Sequence, residues 1–374
     1  MDLQRRVRLL LMALGLLSLV TGIWGGVVRI GWSFELPTTR LLTLHGPLFV
    51  SGFVGTLIAL ERAAALNRPW AYAAPLLSGV GAVSVLLGAP NALGGTLMAL
   101  SAAVLLVIFA VVTRGYPGPK GPLALMAFSV FLWLVGNVLW ASGELIATFT
   151  GWWIGFPVLM IAAERLELAR LVQVPFAGRL SFVMAVAILF GGIAWTVVYL
   201  DGGTTLLGLG MMTLALWLLV HDLAGRTVRE KGLTRFMAVA LLAGYAWLAF
   251  SGLLAFTYGG VLWGLQYDAI LHAVFLGFVM SMIFAHAPII FPALLGLPVP
   301  YRPWFYGHLG LLHFSLALRI AGDLASVPSL REWGGLLNGI ALVMFLLATI
   351  LSSRLRGAPT PAQTSPSPDE RAAS

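Results

Sequence analysis

Cysteine is absent from this 374-residue chain, which excludes disulfides, iron–sulfur clusters, zinc ribbons and thiol catalysis. Charge is scarce as well. Only 10% of residues are charged and 60% are hydrophobic, with a mean hydropathy of +0.96, whereas soluble domains carry about 25% charged residues. Long polar segments are also missing, so no part of the chain reads as a separate soluble domain. Acidic residues are outnumbered 14 to 22 by Lys and Arg, giving a net charge of +8. These basic residues are spread between apolar runs and form no patch for nucleic acid, so no nucleic-acid partner is expected. What remains is a polytopic protein whose partner is the lipid bilayer.

At roughly 20 apolar residues per crossing, the runs predict an all-α membrane protein of twelve spans. They lie near 9–30, 42–66, 71–88, 92–113, 122–145, 148–166, 179–200, 203–221, 235–258, 266–292, 304–322 and 332–353. Arg5, Arg6 and Arg8 precede the first run, which has no small-residue cleavage site and reads as a retained helix. Lys and Arg accumulate in cytoplasmic loops. With both termini inside, 18 of the 22 basic residues fall on the cytoplasmic side, and Arg29, Arg40, Arg319 and Arg331 do not. One span more or fewer scrambles that alternation. The membrane domain is therefore 1–356. Residues 357–374, rich in Pro, Ser, Ala and Thr, have nothing to bury and read as a disordered cytoplasmic tail.

Three spans repeat. Span two carries Gly52, Phe53, Ile58, Ala59, Glu61 and Arg62, and span six carries Gly155, Phe156, Ile161, Ala162, Glu164 and Arg165 at the same spacing. Span ten keeps Gly277, Phe278 and Ile283 and places His286 at the glutamate position. Such residues abound in membrane helices, so chance is one reading. The sharper one is three four-helix units about a pseudo-threefold axis, with spans two, six and ten as equivalent central helices.

Five of the six histidines, His45, His272, His286, His308 and His313, fall within spans, and His221 falls at the cytoplasmic end of span eight. Polar groups at membrane depth are costly and usually face an interior site. His45 and His272 lie at similar depths near the outer ends of spans two and ten. Two imidazoles from facing helices suit axial ligation of a low-spin haem; simple interhelical hydrogen bonding is the alternative. Gly52, on about the same face as His45, is expected to let a flat macrocycle approach the backbone, and Asp268, four residues before His272, to orient its imidazole. His286, His308 and His313 form an inner group and a candidate metal site. Arg319 either pairs with Asp323 at i,i+4 or faces haem propionates. Glu61–Arg62 and Glu164–Arg165 read as ion pairs at the inner surface, Asn137 and Asn338 as interhelical hydrogen-bonding groups, and most of the thirteen tryptophans as interfacial belts.

This layout resembles subunit I of the haem–copper oxidases, and most closely the NnrS-like branch of membrane haem–copper proteins linked to nitric oxide and nitrosative stress. The segments from His45 through Gly52 to Arg62 and from His272 to Pro292 carry the resemblance. It implies haem b held by His45 and His272, copper as a further candidate, a redox partner or nitric oxide as ligand, and a place in a prokaryotic plasma membrane. The chain departs from the catalytic oxidases: span seven has no histidine, Thr148 stands in span six at the position of His45, and span ten lacks a close histidine pair. Only the haem ligands are carried over. Two other functions compete, a transporter or channel for a small solute or ion and a cofactor-free partner of a respiratory complex.

Overall fold

The computed structural model describes residues 3–168 and 174–355, and the expected tail, 357–374, lies outside the described residues. Twelve long helices account for nearly all of them: α1 (Leu3–Arg29), α2 (Leu41–Leu66), α3 (Pro69–Leu86), α4 (Asn91–Gly115), α5 (Gly121–Ala141), α6 (Ile146–Leu168), α7 (Phe176–Trp195), α8 (Leu200–His221), α9 (Gly232–Tyr258), α10 (Leu265–Leu295), α11 (Phe305–Ala325) and α12 (Pro328–Arg354). A single helical turn, Ala224–Thr227, sits between α8 and α9. Local chemistry sets several ends. Proline opens α3, α5 and α12 within the first turn, where its missing N–H would have had no partner. α2, α10 and α11 stop at Asn67, Gly296 and Ser326, each in the left-handed conformation that releases the chain from a helix.

Eleven of the twelve are long and apolar enough to cross a bilayer, so the chain is a multi-pass all-α membrane protein. α11 is the exception by composition, because it carries His308, His313, Arg319 and Asp323. Three of these four, His308, Arg319 and Asp323, are buried in the protein, so their cost in lipid is avoided.

Sequence neighbours pack side by side in three arcs: α3 to α6, α7 to α10, and α11 through α12 and α1 to α2. Each arc ends on one of the repeat helices. The most apolar stretches of α2, α6 and α10 are 67%, 67% and 72% buried, against 33–50% for the other eight apolar helices. These three are therefore the central helices.

Their register is also shared. One cavity is lined by Val54, Leu57, Ile58, Glu61 and Arg62 of α2, by Pro157, Met160, Ile161, Glu164 and Arg165 of α6, and by Val279, Met282, Ile283, His286 and Ala287 of α10. These are the same five repeat positions in each helix, so the three run in one direction at one height around a common axis. The repeat extends to backbone detail. α2 winds into a π-helical segment over Leu48–Gly55 and α10 over Ala273–Met280, again at equivalent positions. Such wide turns are rare and concentrate at functional sites.

Gly52 serves this packing. A Cβ there would meet Ser18 of α1 at 2.9 Å and Ala82 of α3 at 3.0 Å, so its bareness lets two helices close on α2. This corrects the expectation of a glycine facing a macrocycle. Tryptophan is likewise not confined to belts: Trp133, Trp140, Trp153 and Trp217 are buried. Trp133 donates to Ser51 Oγ (2.9 Å), Ser51 donates to Asn137 Oδ1 (2.8 Å) and Trp153 donates to the same oxygen (3.3 Å). This network ties α5 to α2 and α6, as expected of Asn137.

Candidate functional site

Two chambers lie along the axis of α2, α6 and α10. The first, near the N-terminal ends of these helices, is a cavity of about 130 Å³ whose wall includes both His45 and His272, with Arg319, Asn338, Phe49 and Phe275. His45 and His272 also line an adjoining vestibule of about 580 Å³, with Arg29, Tyr267, Asp268 and Arg331 at its rim. Together the two compartments reach the ~300–1,000 Å³ typical of cofactor pockets.

Both imidazoles are anchored the same way. His45 Nδ1 faces the carbonyl of Leu42 at 3.3 Å and His272 Nδ1 that of Asp268 at 2.8 Å. A carbonyl oxygen only accepts, so Nδ1 carries the proton in each ring and the Nε2 lone pair is left for a ligand. Orientation of His272 by Asp268 thus runs chiefly through the backbone; the nearer carboxylate oxygen lies 3.4 Å from Nδ1. That carboxylate is held elsewhere. Arg319 donates to Asp268 Oδ2 from Nε (3.0 Å) and Nη2 (2.7 Å), and Arg331 lies 3.9 Å from Oδ1.

The expected Arg319–Asp323 pair is therefore replaced by two pairs between helices. Arg319 takes Asp268 of α10, and Asp323 takes Arg331 of α12 at 2.9 Å, an ionic contact too bent for a hydrogen bond. The physical reason is burial. Asp268 lies within reach of Arg319 across the α10–α11 contact, and a fully buried Asp323 needs its own cation.

Glycines shape the rest of the wall. Gly22 and Gly26 of α1, Gly46 of α2, and Gly335 and Gly339 of α12 all face the cavity. A Cβ added at Gly26 or Gly46 would meet nothing within 4 Å, so flat backbone surfaces border free space there. Asn338 donates Nδ2 to Ser315 Oγ at 2.6 Å while its buried Oδ1 has no partner. A buried acceptor left open on a cavity wall is an unpaid desolvation cost unless an occupant donates to it. Sequence reasoning missed these residues as site residues. The i,i+4 glycines of α1 and α12 were a signal, but the same spacing serves plain helix packing.

The second chamber, of about 310 Å³, is the one lined by the repeated positions and includes Glu61, Arg62, Glu164, Arg165, Met126 and His286. Of the two neighbouring pairs expected, Glu61–Arg62 is present as a 3.7 Å ionic contact and Glu164–Arg165 is replaced by partners on other segments. Arg62 binds Glu164 of α6 and lies 3.7 Å from Glu61, and Arg165 clasps Asp222 with two bonds of 2.6 and 2.9 Å. Adjacent residues on a helix diverge by about 100°, so the hydrogen bonds of both arginines go to partners outside their own helix.

The inner histidine group does not assemble. His286 faces the second chamber, with Nδ1 bonded to Met282 O at 2.8 Å. His308 is enclosed by Phe284, Phe305 and Phe345 at ring separations of 4.7, 5.6 and 5.5 Å. His313 Nδ1 accepts from Trp247 at 3.0 Å. Among the described residues no three His, Asp or Glu side chains are placed to share a metal ion. The expected metal site at these three residues is corrected accordingly: the turn of α11 sends His308 and His313 to different neighbours.

No curated protein matches the chain. Residues 8–354 match the family described as a domain of unknown function, DUF8744. That match spans all twelve helices but the first few residues of α1, and the chain belongs to this family.

Proposed function

We propose that this is a membrane haem b protein in which His45 and His272 supply the two axial ligands, serving electron transfer or nitric oxide binding. One observation carries the reading: two imidazoles, each with Nδ1 committed to a backbone carbonyl, present Nε2 to a single cavity between α2 and α10. The open acceptor of Asn338 and the bare backbone at Gly26 and Gly46 suit a large flat occupant. Haem, when bound, would supply reversible one-electron chemistry and an iron able to bind nitric oxide.

The chain's own residues fix the rest. The Leu42 and Asp268 carbonyls set tautomer and ring orientation, which makes each Nε2 a better donor to a metal. Asp268 also holds Arg319 at the cavity, and Arg29 and Arg331 at the vestibule rim supply positive charge suited to carboxylate substituents of a macrocycle. The basic-residue alternation supports an orientation with this end of the bundle outside and both termini in the cytoplasm. No copper role is assigned to His286, His308 and His313, whose side chains part ways.

A second reading, a transporter, draws on the two chambers stacked along one axis. The visible spectrum of the purified protein, oxidised and dithionite-reduced, decides between them. Sharp reduced α and β bands that vanish in H45A and H272A and persist in H221A are the expected result. A colourless preparation that takes up no added haemin overturns the haem reading.

A further inference from the structure

The second chamber has its own binding chemistry, independent of the haem reading. Five repeat positions from each central helix line it, and most of its wall is aliphatic, with Ile58, Ile161 and Ile283 at matched positions. The polar groups lie at one end. Four of them are already engaged: Arg62 with Glu164, Arg165 with Asp222, and Glu167 with the Tyr116 hydroxyl at 2.8 Å. Two are not. Glu61 makes no hydrogen bond among the described residues and is held only by the 3.7 Å ionic contact to Arg62. His286 has Nδ1 turned to the Met282 carbonyl, which leaves Nε2 as a lone-pair acceptor facing the chamber.

These two groups occupy the same repeat position on α2 and α10, so they stand level across the chamber. Both accept and neither donates. A carboxylate ligand would meet two acceptors and a single open donor, the buried Nε of Arg62, and an oxidised quinone would bring only carbonyl acceptors of its own to Glu61 and His286. The complementary ligand is an apolar ring that carries hydroxyl donors. A volume of about 310 Å³ holds such a ring with the start of a hydrocarbon tail, at the lower end of small-molecule pockets.

We propose that this chamber is a binding site for a lipid-soluble quinol, with Glu61 and His286 accepting its hydroxyl hydrogens and the isoleucines enclosing its ring. The proposal concerns binding of the reduced form. It assigns no electron acceptor.

The test uses the full-length protein in nanodiscs, titrated anaerobically with decyl-substituted benzoquinol and, separately, with the corresponding quinone, read by tryptophan quenching and calorimetry. Saturable binding of the quinol, about tenfold tighter than of the quinone, is expected. E61L and H286F should each weaken it about tenfold, E61Q less because it keeps an acceptor oxygen, and I161W should abolish it by filling the chamber. H272A should leave it unchanged, which separates this site from the haem reading. Unaltered helicity and thermal transition of E61Q and H286F exclude misfolding as the cause. Non-saturable partitioning, equal affinity in E61L and H286F, or Glu61-dependent binding of decylammonium without binding of the quinol each overturns the proposal.

Discussion

The two chambers are built on the same three helices and separated by about one turn, from Val50 to Val54 on α2 and from Trp153 to Pro157 on α6, roughly 6 Å of helical rise. Their walls nevertheless follow different rules. The second chamber obeys the repeat, drawing equivalent positions from all three central helices. The histidine cavity breaks it: His45 corresponds to Ile270 on α10 and to Thr148 on α6, and α1, α11 and α12 supply much of the wall. Symmetric helices thus enclose one chamber with a common scaffold and another with residues belonging to single helices. Specialised chemistry is expected where the repeat is broken, because each position there was free to differ.

That contrast predicts effects of graded size. The largest belongs to the asymmetric cavity. Replacing His45 or His272 with Ala should remove the low-spin spectrum or turn it high-spin, while H221A, at the far end of α8 stacked on Trp217, should leave it intact; retention of the low-spin bands in both variants would assign the ligands elsewhere. Orientation is equally all-or-none. Reporter fusions after residues 67, 118 and 230 should all read cytoplasmic, which puts the second chamber at the inner face; an external signal at any of the three reverses the assignment of the chambers to sides.

Smaller effects follow from the ion pairs. D268L leaves Arg319 buried without its partner, and breaking a buried pair costs about 3–5 kcal/mol. The thermal unfolding transition in detergent should fall well below that of the parent, and the D268L/R319M double variant should regain most of the loss. If single and double variants unfold alike, the pair is not coupled. The smallest change is expected at the second chamber's mouth. Arg62 and Glu164 keep 22% and 36% of their side-chain surface exposed, and solvated pairs contribute about 0–1 kcal/mol. E164Q should therefore leave the transition nearly in place, and a loss comparable to that of D268L would mean the chamber is far drier than its exposure indicates.

Much of this architecture was legible in the sequence because hydropathy alone dictates it. A helix in lipid must satisfy its own backbone, so each apolar run became a helix, and the boundaries near 42–66, 122–145 and 148–166 agree with α2, α5 and α6 to within a few residues. The shared Gly-Phe…Ile spacing marked the central helices because any residue that lets neighbours close on a crowded axis is constrained. Gly52, Gly155 and Gly277 each lie against side chains of adjacent helices.

The sequence by itself determined the medium, the helices and which three of them lie at the centre, because these depend on composition and on period along one chain. Only the tertiary structure decided the partners. Arg319 chose Asp268 over its own i,i+4 neighbour, Arg62 chose Glu164, and His308 and His313 went to an aromatic cage and to Trp247 and left His286 alone. The physical reason is that a buried polar group binds whatever complementary atom packing brings within about 3 Å, and contacts between helices distant in sequence leave no periodicity to read. The π-helical turns after His45 and His272, which widen the helices where the histidine cavity opens, belong to the same class.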